Sequence, residues 1–176
     1  SIMTTDIIYD MEVYPNHVCL TFMGGKGDIK IIDGCEAIRS RIKDKYKMVR
    51  WIGFNTRRYD QPILKAILFD NYTVEKCYEL SQQIIGSKNG PYCTDVNMVD
   101  LMEVFNSPSK CSLKEFGHRF KYPVLQNLPY AYDKELSDSE WEDVKNYSIH
   151  DVKITKLFWD KLQPEQKTRE LLAQMY

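Results

Sequence analysis

The sequence predicts an α/β fold: a mixed β-sheet, part antiparallel meander and part parallel strands, flanked by helices. Three short β-rich segments follow one another near the start, a helical segment then leads into a fourth β-rich run, and a long capped helix comes late in the chain.

Each element has a local reason. TTDIIYD, HVCLTFM and DIKIID are rich in Ile, Val, Phe and Thr and read as strands, with GGKG between the second and third as a hairpin turn. The same glycines invite a phosphate-loop reading, but neither GKS nor GKT occurs there and no helix follows directly, so the turn is preferred. Cys35 to Lys47 places Ala37, Ile38, Ile42 and Tyr46 at helical spacing, and MVRWIGF is a fourth strand; the strand, helix, strand order implies a crossover into parallel pairing. Pro62 to Phe69 and Val74 to Ile85 read as helices, SKNGPY as a turn and TDVNMVDL as a further strand. SLKEFGHRF is a short helix and KYPVLQNLPYAYDK an irregular loop rich in Pro and Tyr. Ser137 and Glu140 form a capping box, with Leu136 and Trp141 as its hydrophobic staple, so a helix begins at Asp138; it is expected to run to about Leu162, before Pro164.

With 176 residues, one domain spanning 1–176 is expected. Apolar residues make up 43% and charged ones 28%, and no stretch approaches the roughly 20 apolar residues of a membrane span. The start, SIMTTDIIYD, has no basic segment followed by a long apolar core, so no secretion signal is expected. The five cysteines (Cys19, Cys35, Cys77, Cys93, Cys111) are odd in number and form no CxxC, which predicts reduced buried thiols in a cytoplasmic protein rather than disulfides or a zinc knuckle. With 24 Lys+Arg against 25 Asp+Glu, the net charge of −1 gives no global attraction to nucleic acid or to an anionic membrane. Any such partner must be held locally. Basic residues cluster at Arg39–Lys47, at Arg50 with Arg57–Arg58, and at Lys110–Lys121; the first cluster reads most simply as a solvated helix face.

The acids carry the chemistry. Asp-x-Glu occurs at Asp10–Glu12, Asp133–Glu135 and Asp138–Glu140, but only the first ends an apolar strand, and residues two apart on a strand point the same way. Two adjacent buried acids repel and protonate in part unless a cation neutralises them. Hard oxygen donors without clustered Cys or His suit magnesium or manganese; an exposed acidic strand end is the competing reading. WIGFNTRRYDQ then ends an apolar run on Asn55, Arg57, Arg58, Tyr59 and Asp60, where Asp60 could cap the following helix and Asn55 could make an Asx-turn. On the late helix, Tyr147 and Asp151 stand four apart on the stripe of Val144, Ile154 and Phe158, so phenol and carboxylate face the core. A core Tyr bonded to a salt-bridged Asp is the alternative. Asp95 and Asp100 add acids to the fifth strand without an assigned role, and His150 reads as a surface residue.

In chain order, Asp-x-Glu on the first strand, Asn-x3-Tyr-Asp after the fourth and Tyr-x3-Asp in the late helix resemble the three exonuclease motifs of the DEDD superfamily. The likeness is to its tyrosine branch, as in the proofreading domains of family-B DNA polymerases, and SLKEFGHRFKYP with LPYAYD looks like the phage-type members. The histidine branch would need His-x4-Asp, and position 146 is Asn. The chain departs from the family at Val13, where a small polar residue is common, and it has no polymerase palm motifs. A free-standing exonuclease, a subunit of a split polymerase or a piece of a longer chain is therefore expected.

The resemblance implies a ribonuclease-H-like fold with two divalent metal ions, magnesium or manganese, held by Asp10, Glu12, Asp60 and Asp151, with Asp10 bridging both. Ions about 3.5–4 Å apart would activate water and stabilise the leaving 3′ oxygen, with Tyr147 orienting the water. Met11, Asn55 and Tyr59 would contact the frayed 3′ nucleotides, and Arg57 and Arg58 the phosphates; core packing for Met11 and solvation for the arginines are the alternatives. The implied partners are single-stranded DNA 3′ ends and a DNA polymerase on the same or a separate chain, in the cytoplasm of a bacterial or phage-infected cell. A non-catalytic nucleic-acid-binding or polymerase-accessory module, and an RNA exonuclease of the same superfamily, stay open.

Overall fold

The structure is a computed structural model that describes residues 5–104 and 128–175. Strands β1 (Thr5–Tyr14), β2 (His17–Met23) and β3 (Ile29–Asp33) form the expected antiparallel meander. Strands β4 (Val49–Gly53) and β5 (Met98–Asp100) continue the sheet in parallel, β4 beside β1 and β5 beside β4, giving the order β3-β2-β1-β4-β5. Helix α1 (Cys35–Ile42) and a 3₁₀ segment (Lys43–Met48) carry the crossover from β3 to β4. Helices α2 (Gln61–Phe69) and α3 (Val74–Gly86) precede β5; α4 (Leu101–Val104) and α5 (Asp138–Met175) follow it. A mixed sheet of this connectivity flanked by helices is ribonuclease-H-like. None of the described helices is long and apolar enough to cross a membrane.

The sheet has two packed faces because strand side chains alternate. From β1, Tyr9, Met11 and Val13 join Leu20, Trp51, Ile63 and Leu64 in the core beneath α1, α2 and α3. Ile8 packs on the opposite face with Ile52, Val152 and Phe158, and Tyr14 with Cys19, Trp141 and Val144, both under α5. Residues 10 and 12 share the parity of Ile8 and Tyr14, so β1 aims both acids at α5.

α5 is fixed to that face at several points. Its capping box is formed: Glu140 N–H donates to Ser137 Oγ at 3.3 Å and Ser137 N–H to Glu140 Oε1 at 3.0 Å. The staple residues Leu136 and Trp141 are both buried. Asn16, in the β1–β2 turn, exchanges two 2.9 Å bonds with the Leu136 backbone, and Trp141 Nε1 donates to Asp33. Farther along, Arg50 grips Asp6 with two nitrogens and reaches Glu170 with a third.

Three boundaries differ from the sequence reading. α5 continues through Pro164 to Met175. A proline ring holds a helix-compatible φ and removes one donor, so it weakens a helix already anchored on both sides without having to end it. β5 is only three residues long because Asp100 accepts the Met102 N–H at 3.0 Å and starts a helical turn. The helix predicted from Cys35 to Lys47 turns 3₁₀ after Ile42. The GGKG turn is present, closed by Gly27 N–H to Gly24 O at 2.9 Å with Gly27 at φ 82°. The predicted 112–120 helix, the first half of the Pro/Tyr-rich loop (121–127), Cys111 and the Lys110–Lys121 cluster lie outside the described residues.

At the end of β4, Gly53 allows the chain to pass close to β1: a Cβ there would collide with the Thr56 methyl and stand 3.1 Å from the Tyr9 ring. Gly53→Ala is expected to lower unfolding stability by about 2 kcal/mol or more in a urea titration. Gly25→Ala, whose Cβ would meet only the Thr5 methyl at 3.9 Å, should stay within about 0.5 kcal/mol of the parent.

Candidate metal centre

β1 and α5 together build an acidic trio. One carboxylate oxygen from each of Asp10, Glu12 and Asp151 lies within 4.8 Å of the other two, and no other trio of Asp, Glu, His or Cys among the described residues does so. The angle at which α5 presents Asp151 is set by a fully buried hydrogen bond, Thr21 Oγ1 to Ser148 Oγ at 2.7 Å. Thr21 is the cross-strand neighbour of Asp10, and Ser148 follows Tyr147. The apolar stripe beside them is buried as expected: Val144, Ile154 and Phe158 are all at 1% exposure or less.

Asp60 closes a single π-helical turn (Thr56–Asp60) between β4 and α2. Such turns recur at functional sites because they re-aim a side chain. The carboxylate makes no cap bond to α2. Its Oδ2 accepts the Met11 N–H at 2.9 Å instead, which ties it to the residue between Asp10 and Glu12 at 3% exposure. Directly after it, buried Gln61 donates to the Tyr9 hydroxyl at 2.8 Å and accepts from the Tyr46 hydroxyl at 2.5 Å, locking the turn from below.

Burial is the largest force on all four acids, and it opposes their ionisation. Asp10 is raised to about 6 by burial, offset in part by bonds from Glu12 and the Met11 backbone. Glu12 goes well above the usual carboxylate range through burial and then the Asp10 charge. Asp60 is likewise raised by burial and Asp10. Asp151 reaches about 8 through burial and Asp10, with Tyr147 one turn away pulling it back. Asp10 Oδ2 and Asp151 Oδ1 are buried with no hydrogen-bond partner among the described residues.

Those orphaned oxygens test whether a divalent cation fits here, and it does. Adjacent hard oxygen donors, repelling one another and lacking a cationic side chain among the groups that shift them, are the donor set that magnesium or manganese takes. Asp10, Glu12 and Asp151 form one cluster with the spacing to hold a cation, and Asp60 adjoins it through the Met11 backbone.

The residues expected to touch substrate are dispersed. Met11 is 3% exposed in the core on the opposite face of the sheet, because it stands between two residues that face α5; this is the core-packing alternative, and its backbone N–H is what serves the site. Tyr59 is half-buried with its hydroxyl on Ser81 Oγ at 2.7 Å. Arg57 is held inside the corner, its Nε on Glu103 Oε1 at 2.5 Å and its Nη1 on the Cys93 carbonyl at 2.6 Å. Arg58 is exposed over the Tyr92 ring, 4.8 Å from its centroid. Asn55 is exposed at the head of the turn in the left-handed region, φ 59° and ψ 33°, with no cap bond from its side chain. Asp95 is a surface residue paired with Lys65.

Asp100 is the residue that sequence reasoning left without a role. It accepts three backbone N–H groups, from Asn55 at 2.8 Å, Arg57 at 3.0 Å and Met102 at 3.0 Å, and so fixes the corner that delivers Asp60. An acid at a short strand's end gives no local sign of partners 43 and 45 residues away. The described cysteines, Cys19, Cys35, Cys77 and Cys93, are free and buried, as expected.

Fold and site define a ribonuclease-H-like α/β protein with a buried acidic centre. No protein-family profile and no curated protein matches the chain.

The raised acids set the sign of a pH effect. In the metal-free folded chain Asp10 and Asp151 bind protons up to about 6 and about 8, whereas their unfolded value is 3.8. The folded state therefore holds the extra protons in that window, and stability falls as pH rises through it. Thermal unfolding in EDTA should give a Tm higher near pH 5 than near pH 8.5 by about 5 °C or more. Manganese should restore more of the Tm at the higher pH, because the metal competes with protons for the same oxygens.

Proposed function

We propose that this chain is a metal-dependent 3′–5′ exonuclease that hydrolyses the terminal phosphodiester of single-stranded DNA. The observation that carries the reading is the convergence of Asp10, Glu12 and Asp151 from β1 and α5, with buried oxygens lacking partners among the described residues. Asp60 and Tyr147 beside them occupy the remaining places of the motif set that the sequence resembles. A dead scaffold gains nothing from such a cluster, since each buried acid costs stability unless a cation compensates it.

Bound among these carboxylates, divalent cations supply the charge that makes water a nucleophile near neutral pH and stabilises the departing 3′ oxygen. Asp10, Glu12, Asp60 and Asp151 would hold them. Burial and then the Asp151 charge push the Tyr147 phenol well above its ordinary pKa, so it stays protonated. It therefore donates a hydrogen bond and orients the attacking water rather than taking its proton. Asn55 and Arg58, exposed at the corner, are the groups free to meet the 3′ nucleotide and its phosphate. A net charge of −1, with 24 Lys+Arg balanced by 25 Asp+Glu, gives no global attraction to a phosphate backbone, which favours work beside a polymerase that delivers the strand, in proofreading or repair.

The test is degradation of a 5′-labelled single-stranded DNA and an RNA of the same sequence in magnesium, manganese or EDTA. A ladder shortening from the 3′ end, absent in EDTA, is expected. Asp10→Asn should lower the rate by about 10³-fold and Tyr147→Phe by about 10- to 100-fold. Cleavage unaffected by EDTA or by Asp10→Asn contradicts the reading. Faster RNA cleavage transfers it to the ribonuclease substrate, and metal binding without cleavage of either strand supports an accessory module.

A further inference from the structure

The basic cluster Arg39–Lys47 divides in the structure into two kinds of residue. Arg39 turns inward, its Nε on the Ile67 carbonyl at 2.8 Å and its Nη2 on the Tyr72 carbonyl at 3.1 Å, bonding α1 to α2 and the turn after it. Arg41 and Lys45 turn outward, and with Lys30 of β3 they surround a cavity of ≈ 200 Å³. Its floor is apolar, including Ile7, Phe22 and Trp51.

Among the described residues, no acidic one lines the cavity. Arg41 and Lys45 are exposed and form no ion pair among the described residues, and Lys30 has only the exposed Asp28 at 3.7 Å. The site is separate from the acidic trio. Ile7 shares the parity of Tyr9 and Met11, so it faces the α1 side of the sheet, whereas Asp10 and Glu12 face α5. In a chain of net charge −1, three cations converging on one apolar hollow are a local feature that the nuclease chemistry does not use.

We infer that this cavity docks an acidic peptide segment of a partner protein, which buries one large apolar side chain against Phe22 and Trp51 while its carboxylates meet Lys30, Arg41 and Lys45. The space is below the roughly 300–1,000 Å³ of typical small-molecule sites and suits a single anchoring side chain. A nucleic-acid backbone would satisfy the cations but leave the apolar floor in water. An acidic peptide with an apolar anchor satisfies both, and the rim charges then set orientation and encounter rate. The inference stands apart from the nuclease reading.

The experiment is fluorescence anisotropy with the full chain and a set of labelled Asp/Glu-rich peptides, each carrying one Phe, Leu or Trp, internal or C-terminal. Controls are the same peptides with the anchor changed to Ala, a phosphorylated peptide lacking the anchor, and single-stranded DNA. At least one anchored peptide is expected to bind with micromolar affinity, weakening about tenfold or more with the anchor removed. A similar loss is expected in the double variant Arg41→Glu with Lys45→Glu. Both positions are exposed, so the variant should unfold at the parent temperature and keep the parent rate of DNA degradation, which separates this test from failure of the nuclease reading. Absence of binding by every anchored peptide overturns the inference. So does equal binding of the Ala-substituted peptides, or binding unchanged in the double variant.

Discussion

The acidic site rests on one electrostatic constraint: carboxylates held within a few ångströms of one another where burial denies them solvation. Left to itself such a cluster pushes apart or takes up protons. The surrounding structure prevents the first outcome. β1 is paired with β4 from Thr5 to Ile8 and with β2 from Ile8 to Tyr14, so Asp10 and Glu12 leave a stretch of backbone held by β2 along one edge, just past the point where β4 lets go. Asp60 is fastened to that same backbone at Met11, and Asp151 is held down by the Thr21–Ser148 bond and the capping box of α5. Protonation is the outcome the metal-free fold accepts, which is why the acids titrate high.

The period-2 geometry of β1 divides two tasks between the faces of one strand. Odd residues from Tyr9 to Val13 build the hydrophobic layer under α1, α2 and α3, while the even residues Asp10 and Glu12 meet α5. The strand can therefore supply core and chemistry at once. The corner after β4 depends on equally close packing: Gly53 lets it approach Tyr9, Asp100 holds its N–H groups, and Gln61 fixes its exit.

Local patterns made much of this legible in the sequence. The meander, the crossover into parallel pairing, the capping box and the shared face of Tyr147 and Asp151 all follow from spacing and turn chemistry within a few residues. Long-range polar contacts did not show. Asp100 looks like any strand-end acid until the fold brings Asn55 and Arg57 to it, and Arg39 looks solvated until Ile67 and Tyr72 present their carbonyls. Met11 is the instructive middle case. Its parity on β1 already set it opposite the acids, and placing it against a substrate gave the motif precedence over the pleat. Pro164 shows the reverse: a dependable local stop signal is overridden where tertiary anchors hold the helix on either side.

The central claim is that a divalent cation compensates these buried acids, and the most direct measurement is calorimetric titration of the metal-free protein with manganese at pH 7 in two buffers of different ionisation enthalpy. Asp151, raised to about 8, is largely protonated at that pH, and burial with the Asp10 charge raises Glu12 in the same direction. Binding should therefore release about one proton or more per site filled, with both binding and release lost in Asp10→Asn. Manganese binding without proton release, or no binding by the folded protein, would contradict the account.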